Sequence, residues 1–273
     1  MTKAFRFGVV APLMSDVAAW REKVRRVADC GYSTLLVPDF PMTQPAPAAM
    51  LATVAAITDL RVGSWVYATP FRAAWQTAWE AHSLTRLTEG RFEMGIGTGR
   101  PGIEEEVRGY GMPEAPSPGK RLDDIRETVR RLREYDGTEV HTPVAMAVYG
   151  PKARALAAEI ADTVTFVLGP QSRGEVEKLA RDFRAQTDLT GRDVELALAV
   201  PVIGDTVAAH MAGPGTDPAE WRAADAVTVL PEDPAAAIDE IQRRREEIGF
   251  SYFVIGADWA ERFAPVVAEL AGR

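Results

Sequence analysis

Short apolar runs and amphipathic stretches alternate along this chain from end to end. Residues 5–10, 33–37, 60–67, 92–96, 144–148, 164–168, 194–203 and 252–255 read as strands. Residues 17–29 repeat apolar side chains at helical spacing (Val17, Trp20, Val24, Val27) and stop at Cys30-Gly31, a helix with its terminating glycine. Similar patterns predict helices over 48–57, 76–87, 120–135, 152–161, 176–186, 235–248 and 259–271. The strands read as apolar throughout rather than alternating, which indicates a sheet covered on both faces. Eight strands, nearly all followed by helices, predict an α/β fold, a (β/α)8 TIM barrel, over an open doubly wound sheet. Residues 204–229 are less regular, and glycine and proline make 101–119 a long loop.

One strand departs from the ordinary pattern. The run 92–96 passes directly into Gly97-Thr98-Gly99. Glycine at the C-terminal end of a strand brings bare backbone close to something, and in α/β proteins ligands sit at that end. Gly95-Ile96-Gly97-Thr98-Gly99 lacks the full Gly-x-Gly-x-x-Gly spacing of a dinucleotide loop, so the expectation is a barrel strand approaching a cofactor.

Composition narrows the class. With 273 residues, one barrel domain spanning 1–273 is expected. A net charge of −8 argues against a nucleic-acid partner. No apolar run reaches the length of a membrane span, and no basic leader precedes the first strand, so a cytoplasmic location is expected. The lone Cys30 excludes an internal disulfide and a thiolate metal cluster, and reads as a small buried residue. The three histidines, His82, His141 and His210, lack the spacing of a metal site.

In such a barrel the chemistry lies on the loops after the strands. Asp39 follows the second strand, either as a turn or capping residue or as a carboxylate at the mouth. Trp65 and Tyr67, in the third strand, either pack in the barrel or, placed inward, wall a planar ring. Thr98 and Arg100 follow the fourth strand. Tyr149-Gly150-Pro151-Lys152 follows the fifth and opens a helix, whose N-terminal N–H groups and dipole suit a phosphate. Glu104-Glu105-Glu106 reads as a solvated helix face.

With these residues placed, the chain resembles the bacterial luciferase-like flavin and deazaflavin oxidoreductases over nearly its whole length. The likeness rests on Gly31-Tyr-Ser-Thr-Leu-Leu-Val-Pro-Asp39, on Leu60 to Val66 with Pro70-Phe-Arg72, on Glu80 to Gly99, on Tyr149-Gly-Pro-Lys-Ala153 and on Phe263-Ala-Pro-Val-Val267. The subgroup it resembles most uses coenzyme F420, with FMN as the alternative. The resemblance implies a ring at the C-terminal mouth over a bulged third strand at Ser64-Trp65-Val66, with a cis peptide bond at Trp65–Val66. It implies Asp39, Trp65, Val66 and Thr98 near the cofactor and Tyr149, Gly150 and Lys152 at its phosphate. Asp39 and Tyr67 are the catalytic candidates, a small molecule is the substrate, and a homodimer is the expected assembly.

Two departures bear on the chemistry. Where the family often has Asp-His after strand two, this chain has Asp39-Phe40, which removes the usual proton donor; the usual Thr-Leu-Asp is Ser83-Leu84-Thr85. The implied activity is hydride exchange with a small organic substrate; the alternatives are an FMN-dependent monooxygenase and a non-catalytic cofactor-binding barrel.

Overall fold

A computed structural model describes residues 3–13, 16–213 and 215–273. Eight parallel strands form a closed barrel: Arg6–Val10, Thr34–Val37, Arg61–Ser64, Phe92–Gly97, Val144–Val148, Thr163–Phe166, Glu195–Val200 and Phe250–Gly256. The first pairs with the eighth, and the third meets the fourth at Val62–Phe92 and Gly63–Glu93, which closes the ring. The helices Val17–Asp29, Pro47–Ile57, Ala74–Leu87, Pro118–Asp136, Pro151–Ile160, Arg173–Thr190, Pro234–Glu247 and Ala264–Leu270 follow the strands in turn. Asp16 starts the first helix by accepting from the Ala18 and Ala19 N–H groups, at 2.9 and 3.0 Å.

Alternation along each strand sorts its side chains into two layers. Val9, Leu35, Val37, Met94, Ile96 and Val148 join the large cluster packed under the helices. Val10, Leu36, Ala197, Tyr252 and Val254 form a separate cluster inside the barrel, against which Trp65 and Met211 pack. Burying one aliphatic side chain of the outer layer stabilises the fold by about 1.5–3 kcal/mol, so the helix-facing layer carries most of the cohesion.

The sequence pattern predicts strands that are apolar throughout, and the structure departs from this. Arg6 lies within the first one and points into the barrel floor. Its Nε and Nη2 donate to Glu195 Oε2 at 2.9 and 2.6 Å, and its Nη1 donates to Glu93 Oε2 at 2.8 Å. The Tyr252 hydroxyl donates to Glu93 Oε1 at 2.9 Å, Ser251 Oγ donates to Glu195 Oε1 at 3.2 Å, and the Arg6 guanidinium lies 3.5 Å from the Tyr252 ring centre. Burial alone would lower the Arg6 pKa, but Glu93, Tyr252 and Glu195 together raise it, so the guanidinium stays charged.

Two stretches contain more structure than their composition announces. Within the glycine- and proline-rich loop, Ile103–Gly109 is a helix. Its acidic run is not simply solvated: Glu104 pairs with Arg121, and Glu106 with Arg100 at 2.6 Å. The section after strand seven holds a helix, Pro218–Ala223, and a small sheet of Val202–Ile203, Thr206–Val207 and Val229–Leu230. Pro201, which has no N–H to donate, stands between Glu195–Val200 and that sheet. Cys30 is half-buried at the end of its helix, and burial raises its thiol pKa. Among the described residues, no helix is long and apolar enough to cross a membrane.

Candidate active site at the barrel mouth

The third strand organises the mouth. It runs from Arg61 to Ser64, breaks, and resumes at Tyr67–Ala68, with a cis peptide bond between Trp65 and Val66 as the resemblance implies. The fourth strand makes room for this break. A Cβ on Gly95 would stand 1.9 Å from the Ser64 carbonyl oxygen and 3.0 Å from Val66 Cγ1; one on Gly97 would stand 3.0 Å from Val66 Cγ2. The glycines of the fourth strand therefore admit the neighbouring strand. Ser64 Oγ reinforces the contact by donating to the Gly95 carbonyl at 2.8 Å.

The break also separates two aromatic residues that a regular strand would place on one face. Trp65 packs with the interior cluster and is half-exposed at the mouth, beside a half-exposed Val66. Tyr67 is fully buried in the outer layer, with the Arg72 guanidinium 4.0 Å from its ring centre. Burial, and then Glu80, hold its hydroxyl well above the ordinary tyrosine range against the pull of Arg72. The Tyr67 hydroxyl is buried in the outer layer without a hydrogen-bond partner, away from the interior cluster on which Trp65 packs, and this placement argues against the catalytic role expected of it.

Asp39 is buried at the rim. Its carboxylate accepts from Arg72 Nε at 2.8 Å, from Arg72 Nη2 at 3.0 Å and from the Ala68 N–H at 3.2 Å. Arg72 also donates to Glu80 Oε1 at 3.1 Å. Burial opposes the Arg72 charge, but Asp39 outweighs it and raises the pKa overall. A carboxylate held on both oxygens by a fork of N–H groups is a brace between the ends of strands two and three. Asp39, Phe40, Met42, Phe71 and Arg72 also line a cleft of about 400 Å³ on the rim.

The remaining candidates lie at strand ends. Thr98 is half-buried just past the fourth strand, and Arg100 stands 4.9 Å from the Phe40 ring centre. Tyr149 is 77% exposed, Gly150 caps the helix Pro151–Ile160, and Lys152 is exposed in its first turn. Arg154 donates to the Tyr149 carbonyl at 2.7 Å, adding a cation that motif reading passes over.

Sequence reasoning also passes over the segment from Ala208 to Met211, which lies across the mouth. A Cβ on Gly256, the last residue of strand eight, would stand 2.9 Å from Ala208 Cβ and 3.7 Å from both His210 Nε2 and Met211 Sδ. Of the three histidines, His82 Nδ1 pairs with Asp136 Oδ1 at 2.9 Å and His141 Nε2 with Asp162 Oδ2 at 3.1 Å. His210 Nε2 is buried without a hydrogen-bond partner. No local signal singles this histidine out, because its position depends on the loop folding back.

The mouth thus has a half-exposed indole and valine on the third strand, a glycine-containing fourth strand beside them, and a cationic helix start after the fifth. This donor set fits a planar ring with an anionic tail. Comparison with known proteins agrees in fold. The family model described as luciferase-like monooxygenase matches residues 5–212. No curated protein matches the chain in sequence. Among solved structures, an F420-dependent secondary alcohol dehydrogenase in complex with an F420–acetone adduct superposes with a TM-score of 0.72 at 18% identity, covering 98% of each chain. The coenzyme F420-dependent tetrahydromethanopterin reductase of Methanopyrus kandleri gives 0.73 at 16% identity, covering 98% of this chain and 99% of that one. A riboflavin lyase with modified FMN and riboflavin gives 0.71 at 14% identity, covering 98% and 93%. At these identities the likeness establishes the fold.

Proposed function

The chain belongs to the luciferase-like monooxygenase family, and from that premise we propose that it is an oxidoreductase of one domain that binds coenzyme F420 at the barrel mouth and exchanges hydride with a small organic substrate. The observation that carries the reading is the broken third strand, which turns Trp65 and Val66 to the mouth two strands away from the cationic turn at Tyr149–Lys152. When bound, the deazaflavin supplies a two-electron hydride donor or acceptor. Trp65 and Val66 wall the ring, and Thr98 contacts it from strand four. Lys152 and the N–H groups after Gly150 hold the phosphate, with Tyr149 at its edge. Met211 and Ala208 keep water from the ring face. Asp39 acts through its brace to Arg72, fixing the rim.

Titrating the purified protein separately with F420 and FMN tests this reading. F420 is expected to bind more tightly; tight FMN binding with none of F420 would favour the flavin-dependent monooxygenase. A neighbour that holds modified FMN keeps that second reading open. Hydride transfer from bound reduced cofactor to any acceptor would dispose of a non-catalytic barrel.

The proposed assembly is a homodimer through the helix Ala74–Leu87. Trp75 and Trp79 stack on it at 6.5 Å with 52% and 57% of their surfaces exposed, and an exposed aromatic pair marks an interaction surface. Light scattering at micromolar concentration is expected to show a dimer, and a monomer for a W75E/W79E variant.

A further inference from the structure

His210 is the one histidine of this chain whose ring is not tied to a carboxylate by a short contact. His82 and His141 are engaged by Asp136 and Asp162, and His141 and Asp162 stand just before strands five and six, at the end of the barrel away from the mouth. The His210 ring instead sits over the C-terminal ends of strands one and eight, next to Val10 and Gly256. Its Nε2 is buried and unpartnered, and it faces the end of strand eight on the inner side of the barrel, in register with Tyr252 and Val254. A buried nitrogen without a partner costs free energy in the free protein, about 1–3 kcal/mol. Such a cost is commonly tolerated where a ligand completes the bond.

We propose that His210 takes up and returns the substrate proton during hydride exchange at the barrel mouth; the inference rests on the oxidoreductase reading above. Phe40, at the end of strand two, offers no proton, and Tyr67 is sealed in the outer layer. Asp39 is held on both oxygens by Arg72, and His210 is the histidine placed at the mouth with an unsatisfied nitrogen. The charged groups that face it are Asp258, on the turn Ala257–Trp259, and Lys23, on the helix Val17–Asp29; they pair with each other at 3.0 Å. Burial lowers the His210 pKa from its ordinary 6.5, and the opposing effects of Asp258 and the Val10 backbone only partly offset it. The imidazole is therefore neutral at pH 7, with Nε2 ready to accept.

In alcohol oxidation the O–H bond breaks toward His210 Nε2. The adjacent C–H bond would break in the same event, its electron pair leaving with the hydrogen as hydride to the oxidised deazaflavin of the proposed function. The products are a carbonyl compound, reduced cofactor and an imidazolium. Carbonyl reduction runs the same bonds in reverse, with the imidazolium N–H protonating the oxygen.

The test uses the full chain and F420. Two-dimensional imidazole NMR spectra are recorded as F420 is added, and a H210Q variant is compared with the wild type. The His210 resonances are expected to shift on saturation while those of His82 and His141 stay fixed, and H210Q is expected to bind F420 within about twofold of the wild type. Bleaching of bound F420 by propan-2-ol and other short secondary alcohols is expected to fall about 100-fold in H210Q. The wild-type decline in rate as pH falls through a midpoint below 6.5 should disappear with it. If no alcohol in the set reacts with the wild type, the NMR arm decides alone. Normal F420 binding with unmoved His210 resonances, or bleaching in H210Q within threefold of wild type, overturns this inference alone. Absence of F420 binding by the wild type overturns the F420-dependent reading and, with it, this inference.

Discussion

The two ends of the barrel interior solve opposite problems with the same strands. At the floor, Arg6, Glu93, Glu195, Tyr252 and Ser251 are drawn into one network in which two carboxylates share one guanidinium and each also accepts from a hydroxyl. At the mouth, the third strand breaks, the fourth is stripped to glycine, and His210 Nε2 has no partner. A fully paired buried network rigidifies and fixes one arrangement, whereas an unpaired group in a low-dielectric site is a liability unless something binds it. The contrast teaches that the barrel interior pairs its charges at the floor and leaves a polar atom unpaired at the mouth, where the proposed site lies.

The sharpest way to break the comparison is to unpair the floor. Arg6→Met would leave Glu93 and Glu195 buried together without a counter-charge. Stability is expected to fall by about 3–5 kcal/mol, read from the midpoint of urea unfolding. A loss under 1 kcal/mol would show that the floor is better hydrated than its geometry indicates.

Gly95→Ala tests the seam between the two ends. Its new Cβ would stand 1.9 Å from a backbone oxygen, which cannot swing aside as a side chain can. A loss of about 1–3 kcal/mol is expected, together with weakened F420 binding, because the displaced segment carries Trp65 and Val66. Unchanged affinity in the folded variant would separate the glycine from the ring site.

The mouth should respond differently. Lys152→Ala is expected to leave stability within about 0.5 kcal/mol, since the side chain is exposed. Its F420 dissociation constant should rise about tenfold, equivalent to about 1.4 kcal/mol. A fluorescence titration with no change would move the phosphate away from this turn.

The smallest effect is expected from Tyr67→Phe on cofactor binding. Removing a hydroxyl buried in the outer layer should leave F420 affinity within about twofold, while stability changes by about 1 kcal/mol or less. A large loss of affinity or turnover would return Tyr67 to the site.

Legibility differed by residue. Asp39, Thr98 and Lys152 were readable as residues just past strand ends because the apolar runs mark where each strand stops, whereas Trp65 read as lying within the third strand. Their roles were less readable. Nothing near Asp39 in the chain announces that Arg72, far along the sequence, grips both of its oxygens. Arg6 sat within a run that reads as apolar, because its partners Glu93 and Glu195 come from strands four and seven. His210 lay in a stretch whose turn residues predict irregularity but not destination.

By itself, the sequence determined the eight-fold strand and helix alternation, and with it the barrel and the family. Those follow from local periodicity and from short motifs whose residues are neighbours in the chain. Only the tertiary structure decided which side chains meet at the mouth. A strand break reverses the face on which successive residues lie, so Trp65 enters and Tyr67 leaves. A returning loop then sets His210 over Gly256, some 46 positions away in a chain where only closure of the barrel brings them together.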